Sequence, residues 1–188
     1  MKDIISQQRT FYYTHKTKDI KFRLEQLNKL EKLLKLNEDL LNKAIYEDFK
    51  KSEFDTYVTE LALLYHDIKD AKRNIYRWSK TKRVGTNMLN FPAKSYIIPE
   101  PLGVCLVIGA WNYPYQLTLA PVIAAMAAGN TVVMKPSEMS PKTSAIMAKL
   151  INENFDSSYL KVVEGGGPET TELLENKFDK IFSTGSPQ

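Results

Sequence analysis

The feature that most constrains the fold is an alternation of short apolar runs with helix-length segments from Ser95 onward. Five short runs rich in apolar residues predict strands, and they occupy residues 96–98, 103–108, 131–134, 160–163 and 180–182. Between them, helices are predicted over residues 117–128, from Ser140-Pro141 and from Glu169. Strands that alternate with helices in this way form mostly parallel sheets covered by helices. The sequence therefore predicts an α/β fold in its second half.

The first 80 residues predict helices without strands. Leucine and isoleucine recur three, four or seven residues apart over residues 24–45, with Lys, Glu and Asn between them. A second helical run opens at Ser52, where Asp55 stands three residues on as in an imperfect capping box, and it ends near Trp78. Apolar stripes of this length pack against a core or a partner helix, so we expect no cofactor site there.

Residues 79–94 interrupt both patterns. They carry turn formers such as Gly85 and Pro92, no helical stripe and little apolar surface. We expect three parts: an N-terminal helical segment over residues 1–80, a connector over 81–94 and a sheet domain over 95–188. The connector is a candidate extended arm, and an exposed arm of this kind often pairs with another subunit.

Composition and charge exclude several classes of protein. With 43% hydrophobic and 26% charged residues, the chain has the composition of a globular domain and not of a disordered or coiled-coil protein. The net charge of +4 lies in residues 1–80, where basic and acidic residues are interleaved, whereas residues 81–188 are neutral. A solvated helix surface explains this arrangement better than a nucleic-acid site, so we expect no nucleic-acid partner.

The sequence lacks membrane and secretion signals. No run of 18 apolar residues occurs, and the N-terminus has no apolar signal-peptide core, which predicts a cytoplasmic protein without an integral membrane segment. The single cysteine, Cys105, excludes an intramolecular disulfide. It lies inside an apolar run and is predicted to be a buried small hydrophobe, because a reactive thiol needs exposure and a stabilised thiolate.

Four loops of unusual chemistry follow predicted strands. They are 109–114 (GAWNYP), 135–138 (KPSE), 165–168 (GGGP) and 183–186 (STGS). Ligands of parallel sheets bind in the crevice beyond the carboxyl ends of the strands, so we expect these loops to share one rim. Each loop alone is also consistent with an ordinary turn.

The chemistry of these loops suits a nucleotide and a reacting carbonyl. A carboxylate such as Glu138 can accept hydrogen bonds from two ribose hydroxyls, and Lys135 can donate to hydroxyls or phosphate; a solvated ion pair is the alternative. Glycines 165–167 let the backbone approach a ligand at a helix start, although the third glycine of the usual dinucleotide motif is absent. The Asn112 amide can donate to a developing oxyanion without titrating near neutral pH.

In this order and spacing, the loops resemble those of the aldehyde dehydrogenase superfamily. The similar segments are 100–104 (EPLGV), 111–114 (WNYP), 127–130 (AAGN), 135–138 (KPSE), 167–171 (GPETT) and 182–186 (FSTGS). The N-terminal helices, with residues 51–55 (KSEFD), resemble the compact class 3 branch that acts on fatty and aromatic aldehydes. The resemblance extends over the chain from about Arg9.

The resemblance implies a truncated Rossmann-like sheet over residues 95–188 that binds NAD(P) and no metal site. It implies that Asn112 is the oxyanion-hole amide and that the parent enzyme, a homodimer, oxidises an aldehyde to a carboxylic acid through a thiohemiacetal. NAD is favoured over NADP, since Glu138 would repel a 2′-phosphate. The implied cofactor contacts are Lys135 and Glu138 at the adenosine ribose with Ser137 between them, Gly167 and Pro168 near the adenine, Gly185 and Ser186 at the pyrophosphate, and Ala110 and Trp111 along the cofactor path.

The sequence departs from the family pattern at its end. The 188 residues stop before the family's Glu-Leu-Gly-Gly general-base motif and its catalytic cysteine, so we expect an N-terminal fragment without turnover of its own. The last strand is then expected at an open edge of the sheet. Two other functions stay open: a short nucleotide- or partner-binding protein without catalysis, and a CoA-acylating or semialdehyde dehydrogenase of the same fold.

Overall fold

A computed structural model describes residues 1–185, and all of the following helices and strands lie within that range. The N-terminal helices are α1 (Lys2–Tyr13), α2 (Ile20–Leu36), α3 (Glu38–Phe49), α4 (Glu53–Thr56) and α5 (Ala62–Trp78), and a π-helical turn, Tyr57–Leu61, joins α4 to α5. The strands are β1 (Lys82–Val84), β2 (Ser95–Ile97), β3 (Val104–Ile108), β4 (Thr131–Lys135), β5 (Leu160–Val162) and β6 (Lys180–Ser183). The later helices are α6 (Pro114–Ala128), α7 (Pro141–Asn154) and α8 (Gly167–Leu174).

Strands β3 to β6 form one parallel sheet in the order β5-β4-β3-β6. The chain runs outward from β3 through β4 to β5 and then returns to the other side of β3 to form β6. The strand order therefore reverses between β3 and β6, which is the topological switch point where ligands of such sheets bind. The predicted α/β fold and its Rossmann-like parallel sheet are confirmed. Strand β6 lies at the edge of the described sheet and is exposed along its whole length, as expected.

The two faces of the sheet are covered differently. Alternate residues of β3 and β4 pack into the main core with helices α2, α5, α6 and α7; they are Cys105, Val107, Val132 and Met134. Leu106 and Val133 point to the opposite face, where they meet Leu173 of α8 and the start of α1. Because α2, α3 and α5 contribute to the main core, the N-terminal helices and the sheet share one hydrophobic interior.

Three local features differ from the sequence-based expectation. Helix α1 is an additional element, and its Gln8 donates from Nε2 to the carbonyl oxygens of Val132 (2.9 Å) and Ser157 (3.2 Å). The long helical run over residues 24–45 is divided near Asn37 into α2 and α3. The strand predicted at 96–98 is present as β2, but it pairs antiparallel with β1 and lies outside the parallel sheet.

A buried arginine joins the N-terminal helices to the sheet part. Arg23 is 6% exposed, and its guanidinium donates to the Thr17 carbonyl (2.6 Å), the Lys18 carbonyl (2.9 Å), Ser79 Oγ (3.1 Å) and the Ala127 carbonyl (3.3 Å). Burial lowers the pKa of this guanidinium from its usual value. The carbonyl of Ala127 belongs to the last turn of α6, where the helix dipole favours a cation.

No helix in the described part of the chain combines the length and the apolar composition needed to cross a bilayer.

Candidate active site

The loops predicted to bind a ligand leave the sheet from one rim. Ile108 of β3 lies opposite Lys135 of β4 and opposite Ser183 of β6, so the three strands end at the same level. Backbone hydrogen bonds continue past these ends: Gly109 N donates to the Lys135 carbonyl at 3.0 Å, and Thr184 N donates to the Ile108 carbonyl at 3.1 Å. The structure therefore brings the 109–114, 135–138 and 183–185 segments together at the switch point.

Lys135 and Glu138 form an ion pair on this rim. Nζ of Lys135 lies 2.6 Å from Oε2 of Glu138, and the lysine is 3% exposed whereas the carboxylate side chain is 53% exposed. The hydrogen bond from Lys135, followed by a backbone hydrogen bond, lowers the pKa of the Glu138 carboxyl. Ser137, between them, is nearly buried, and its Oγ accepts a hydrogen bond from Met139 N at 3.2 Å. Glu138 is thus the solvent-facing acceptor, and Lys135 lies beneath it.

The glycine loop approaches the same pair from β5. Gly165 has a positive φ of 137°, a conformation that favours glycine. A Cβ at Gly166 would lie 3.8 Å from Cγ of Glu138, so the loop passes beside the exposed carboxylate. Helix α8 begins at Gly167, two residues before the predicted start, and Glu169 accepts a hydrogen bond from Gly166 N at 2.7 Å. Gly167 and Pro168 therefore form the exposed first turn of α8.

The Asn112 loop connects β3 to α6. Ala110 is partly exposed, and Trp111, Asn112 and Tyr113 are exposed, which leaves the amide of Asn112 accessible to a ligand. At the start of the loop, Gly109 approaches the side chain of Thr118 so closely that a Cβ would overlap it.

The N-terminal helices contact the flanks of this loop. The Trp111 ring packs against Phe49 with centroids 6.2 Å apart and an interplanar angle of 33°. Lys51 Nζ lies 4.5 Å from the centroid of the Tyr113 ring. The loop therefore lies between the sheet and the C-terminal end of α3.

Two carboxylates from the N-terminal helices cap helices of the sheet part. Glu60 accepts hydrogen bonds from the N–H groups of Tyr115 (2.8 Å) and Gln116 (3.3 Å) at the start of α6. Asp48 accepts hydrogen bonds from the N–H groups of Lys142 (3.1 Å) and Thr143 (2.8 Å) at the start of α7. Sequence reasoning missed both residues because a local capping motif spans only a few residues. These caps join positions 55 to 95 residues apart.

The loop after β6 completes the rim. Gly185 is exposed, with open space where a side chain would lie. The Thr184 hydroxyl is buried and has no hydrogen-bond partner within residues 1–185. Ser186, which the resemblance places at the pyrophosphate, lies outside the described residues.

Cys105 lies in β3, away from the rim, and is 5% exposed. Burial, with a smaller contribution from the Asp179 carboxylate, raises the pKa of its thiol to about 11. The predicted burial of Cys105 is confirmed, and its low reactivity stays a prediction.

We expect iodoacetamide at pH 8 to leave Cys105 of the native protein unmodified and to alkylate it after denaturation. The reason is that a thiol with a pKa of about 11 is protonated at pH 8 and inaccessible in the β3 interior. Mass spectrometry of the peptide that contains Cys105 measures the modified fraction. Modification of the native protein at the rate seen in the denatured sample would contradict the buried position.

Comparison with known proteins decides the family. The sequence model described as the aldehyde dehydrogenase family matches residues 2–188, almost the whole chain. The chain belongs to the aldehyde dehydrogenase family. The resemblance carried by the rim loops is thereby confirmed.

The relatives of this aldehyde dehydrogenase chain are longer proteins. The 4,4'-diaponeurosporen-aldehyde dehydrogenase of Staphylococcus aureus is 46% identical over 178 residues, which cover 95% of this chain and 39% of that relative. Human aldehyde dehydrogenase family 3 member B1 is 40% identical over 186 residues, which cover 99% of this chain and 40% of that relative. Matches to family 3 members agree with the class 3 resemblance of the N-terminal helices. The chain thus spans about two-fifths of the length of these relatives.

A solved aldehyde dehydrogenase structure has the same fold. The substrate-bound state of Staphylococcus aureus AldH superposes with a TM-score of 0.93 at 43% sequence identity, covering 96% of this chain and 39% of that one. This agreement extends over the N-terminal helices and the sheet, so both parts follow the aldehyde dehydrogenase architecture.

Proposed function

We propose that the chain is the cofactor-binding N-terminal portion of an NAD(P)-dependent aldehyde dehydrogenase that oxidises aldehydes to carboxylic acids. The observation that supports this most directly is the convergence of the 109–114, 135–138, 165–168 and 183–185 loops on one rim in a member of this family. The rim lies at the switch point between β3 and β6, where dinucleotides bind in related sheets.

The side chains and open backbone of the rim fit a dinucleotide. Glu138 presents an ionised, exposed carboxylate for ribose hydroxyls, and Lys135 holds that carboxylate in place. Space is open beside the backbone of Gly167 and Gly185, so a ligand can approach the main chain closely there. Pro168 would line the adenine side, and Ser186 and Gly185 would face the pyrophosphate.

The starts of helices α6, α7 and α8 are poor candidates for the pyrophosphate site. Those of α6 and α7 already bind the protein carboxylates of Glu60 and Asp48, and the start of α8 binds its own Glu169. A helix N-terminus that has bound one carboxylate has fewer free N–H groups for a phosphate. This supports assignment of the pyrophosphate to the segment after β6, at Gly185 and Ser186.

In the proposed reaction, Asn112 stabilises charge on the substrate oxygen. As a carbonyl carbon is attacked, its oxygen becomes negative, and a fixed amide N–H stabilises that charge more than it stabilises the neutral carbonyl. Ala110 and Trp111 line the path between this oxygen and the dinucleotide. When bound, NAD(P) accepts the hydride. The nucleophilic cysteine and the general-base glutamate would come from the rest of the longer protein, because Cys105 is buried in β3.

The exposed carboxylate of Glu138 favours NAD within this proposal. A 2′-phosphate on the adenosine ribose would bring two or more negative charges next to an ionised carboxylate whose pKa is already lowered. The uncharged 2′-hydroxyl of NAD instead donates a hydrogen bond to it.

The double variant Lys135→Ala/Glu138→Ala should weaken NAD binding about tenfold or more, since it removes hydrogen bonds between the ribose and charged groups. Isothermal titration calorimetry of the wild-type and variant proteins measures this ratio. The matched control is Lys149→Ala/Glu153→Ala, which removes one exposed lysine and one exposed glutamate from α7, away from the rim. Equal NAD affinity in wild-type protein and the rim variant would refute the ribose assignment.

As part of this proposal the parent enzyme is a cytoplasmic homodimer, and the β1–β2 arm supports its dimerisation. Between the two strands, Met88, Leu89 and Phe91 are 91%, 91% and 87% exposed. Exposed apolar side chains in such a cluster are typical of a surface that another subunit covers. The connector predicted from the sequence is thus proposed as the oligomerisation arm.

A further inference from the structure

A buried carboxylate lies behind the Asn112 loop and has no part in the proposed cofactor contacts. Glu60 is fully buried and belongs to the π-helical turn Tyr57–Leu61. Single π-helical turns within α-helices often accompany functional sites. A buried carboxylate is costly unless it is paired and hydrogen-bonded, so its partners show what it stabilises.

The partners of Glu60 are the start of α6 and one lysine. Its Oε2 accepts from the N–H groups of Tyr115 at 2.8 Å and Gln116 at 3.3 Å, and its Oε1 lies 2.6 Å from Lys51 Nζ. The N-cap residue of α6 supplies no side-chain cap of its own. Glu60 therefore replaces the missing cap, and a carboxylate at a helix N-terminus makes strong, charge-assisted hydrogen bonds.

Lys51 extends this pair to the loop itself. Its side chain is 16% exposed, and Nζ lies 4.5 Å from the centroid of the Tyr113 ring, within cation–π range. Glu60 thus holds the backbone two and three residues after Tyr113, and Lys51 contacts the Tyr113 side chain. The residue that precedes Tyr113 is Asn112, whose amide is the proposed oxyanion donor.

We propose that Glu60 and Lys51 are positioning residues that hold the Asn112 amide in its reactive orientation. The proposal rests on the proposed function, in which that amide stabilises the substrate oxyanion. The pair acts through the backbone and ring of residues 113–116 and does not itself contact the reacting atoms. A shift of the α6 start moves the amide with it, and a displacement on the order of 1 Å can lower a rate about 100-fold.

The test compares Glu60→Ala, Glu60→Gln, Lys51→Met and the double variant Lys51→Met/Glu60→Gln in the full-length enzyme. Glu60→Ala should accelerate amide hydrogen exchange at Tyr115 and Gln116 at least about tenfold. It should also lower kcat about 10- to 100-fold, with the KM for NAD within about twofold of wild type. Glu60→Gln should be milder, because an amide oxygen still accepts from both N–H groups.

The double variant provides the readout that distinguishes pairing from simple packing. Lys51→Met alone leaves the Glu60 carboxylate buried without its cation, so it should lower kcat more than Lys51→Met/Glu60→Gln does. Recovery of kcat in the double variant supports a coupled pair. Losses that simply multiply in the double variant would overturn it.

Asp48→Ala is the matched control for Glu60→Ala, because Asp48 caps α7 in the way that Glu60 caps α6. It should accelerate exchange at Lys142 and Thr143 and leave exchange at Tyr115 and kcat close to wild type. Unchanged exchange and kcat in Glu60→Ala, or an equal loss of kcat in Asp48→Ala, would overturn the positioning role. If Glu60→Ala fails to fold, the Glu60→Gln and double-variant comparison decides.

Failure of the positioning role is distinguishable from failure of the proposed function. A wild-type protein that binds no NAD and oxidises no aldehyde would refute the proposed function and, with it, the proposed effect of Glu60 and Lys51 on kcat. If the wild-type protein oxidises aldehydes and Glu60→Ala has the same kcat and amide exchange, only the positioning role is refuted.

Discussion

Replacing Asn112 with alanine should lower kcat of the full-length enzyme about 100- to 1000-fold, the cost of removing one oxyanion-hole donor. The KM for NAD should stay within about threefold, because the amide is proposed to act on the substrate oxygen and not on the nucleotide. Steady-state kinetics with an aliphatic aldehyde measures both constants. Asn112 is exposed on its loop, so the substitution should leave the fold intact.

Two further variants test whether the amide N–H is the active group. Asn112→Asp keeps the size of the side chain but replaces the donor with an anion, so its kcat should be at least as low as that of Asn112→Ala. Asn154→Ala removes an exposed asparagine from the end of α7 and should leave kcat unchanged. If Asn112→Ala keeps the wild-type kcat and binds NAD normally, Asn112 has no part in the mechanism.

Replacing Arg23 with methionine should lower the free energy of unfolding by about 3 kcal/mol or more. The side chain is 6% exposed and donates four hydrogen bonds, three of them to backbone carbonyls. Removal of the guanidinium leaves these carbonyls without their donor, and breaking a buried hydrogen-bonded network is among the costliest single changes. Urea denaturation followed by circular dichroism measures the difference.

Arg73→Met is the matched control for this prediction. Its side chain is 73% exposed and pairs with Asp70 on the same helix, so its loss should change the free energy of unfolding by about 0.5 kcal/mol or less. Arg23→Lys should fall between the two variants, because an ammonium keeps the charge but lacks the planar set of five donors. Equal stability of Arg23→Met and Arg73→Met would show that the Arg23 network contributes little.

The strands and helices of the sheet part could be predicted because their signals are local. The run 131–134 has three apolar residues after the β-branched Thr131, as suits a strand covered on both faces, and the structure extends it only to Lys135. Gly129 marks the end of α6 with a positive φ of 89°, and Pro141 opens α7 as its first residue. Each of these signals lies within a few consecutive residues, so the sequence alone shows it.

Features that depend on distant partners could not be predicted. Strand β2 has the composition of any strand, and only its pairing with β1 places it outside the parallel sheet. The caps from Asp48 and Glu60 carry no local signature, since the helices that they cap begin at Pro141 and Pro114. The buried residues of helix α1 are Ile5 and the polar Gln8, and the carbonyls that Gln8 binds lie more than 120 residues further along the chain.

The candidate site could be predicted from the sequence only in part. Parallel strands end at one rim, so a sheet prediction was enough to bring Asn112, Glu138 and Gly185 near one another. The burial of Lys135 beneath Glu138 could not be read from the sequence, because the letters KPSE are the same whether the lysine faces solvent or the protein.

The caps donated by the N-terminal helices bear on how this enzyme family could have evolved. A nucleotide-binding unit that is complete in itself can be duplicated or fused to new partners without loss. In this chain the sheet's helices take their capping carboxylates from Asp48 and Glu60, and both parts share one interior. Recombination between residues 80 and 95 would therefore transfer the sheet and its helices without the carboxylates that cap α6 and α7. We expect the helical segment and the sheet to have been inherited together.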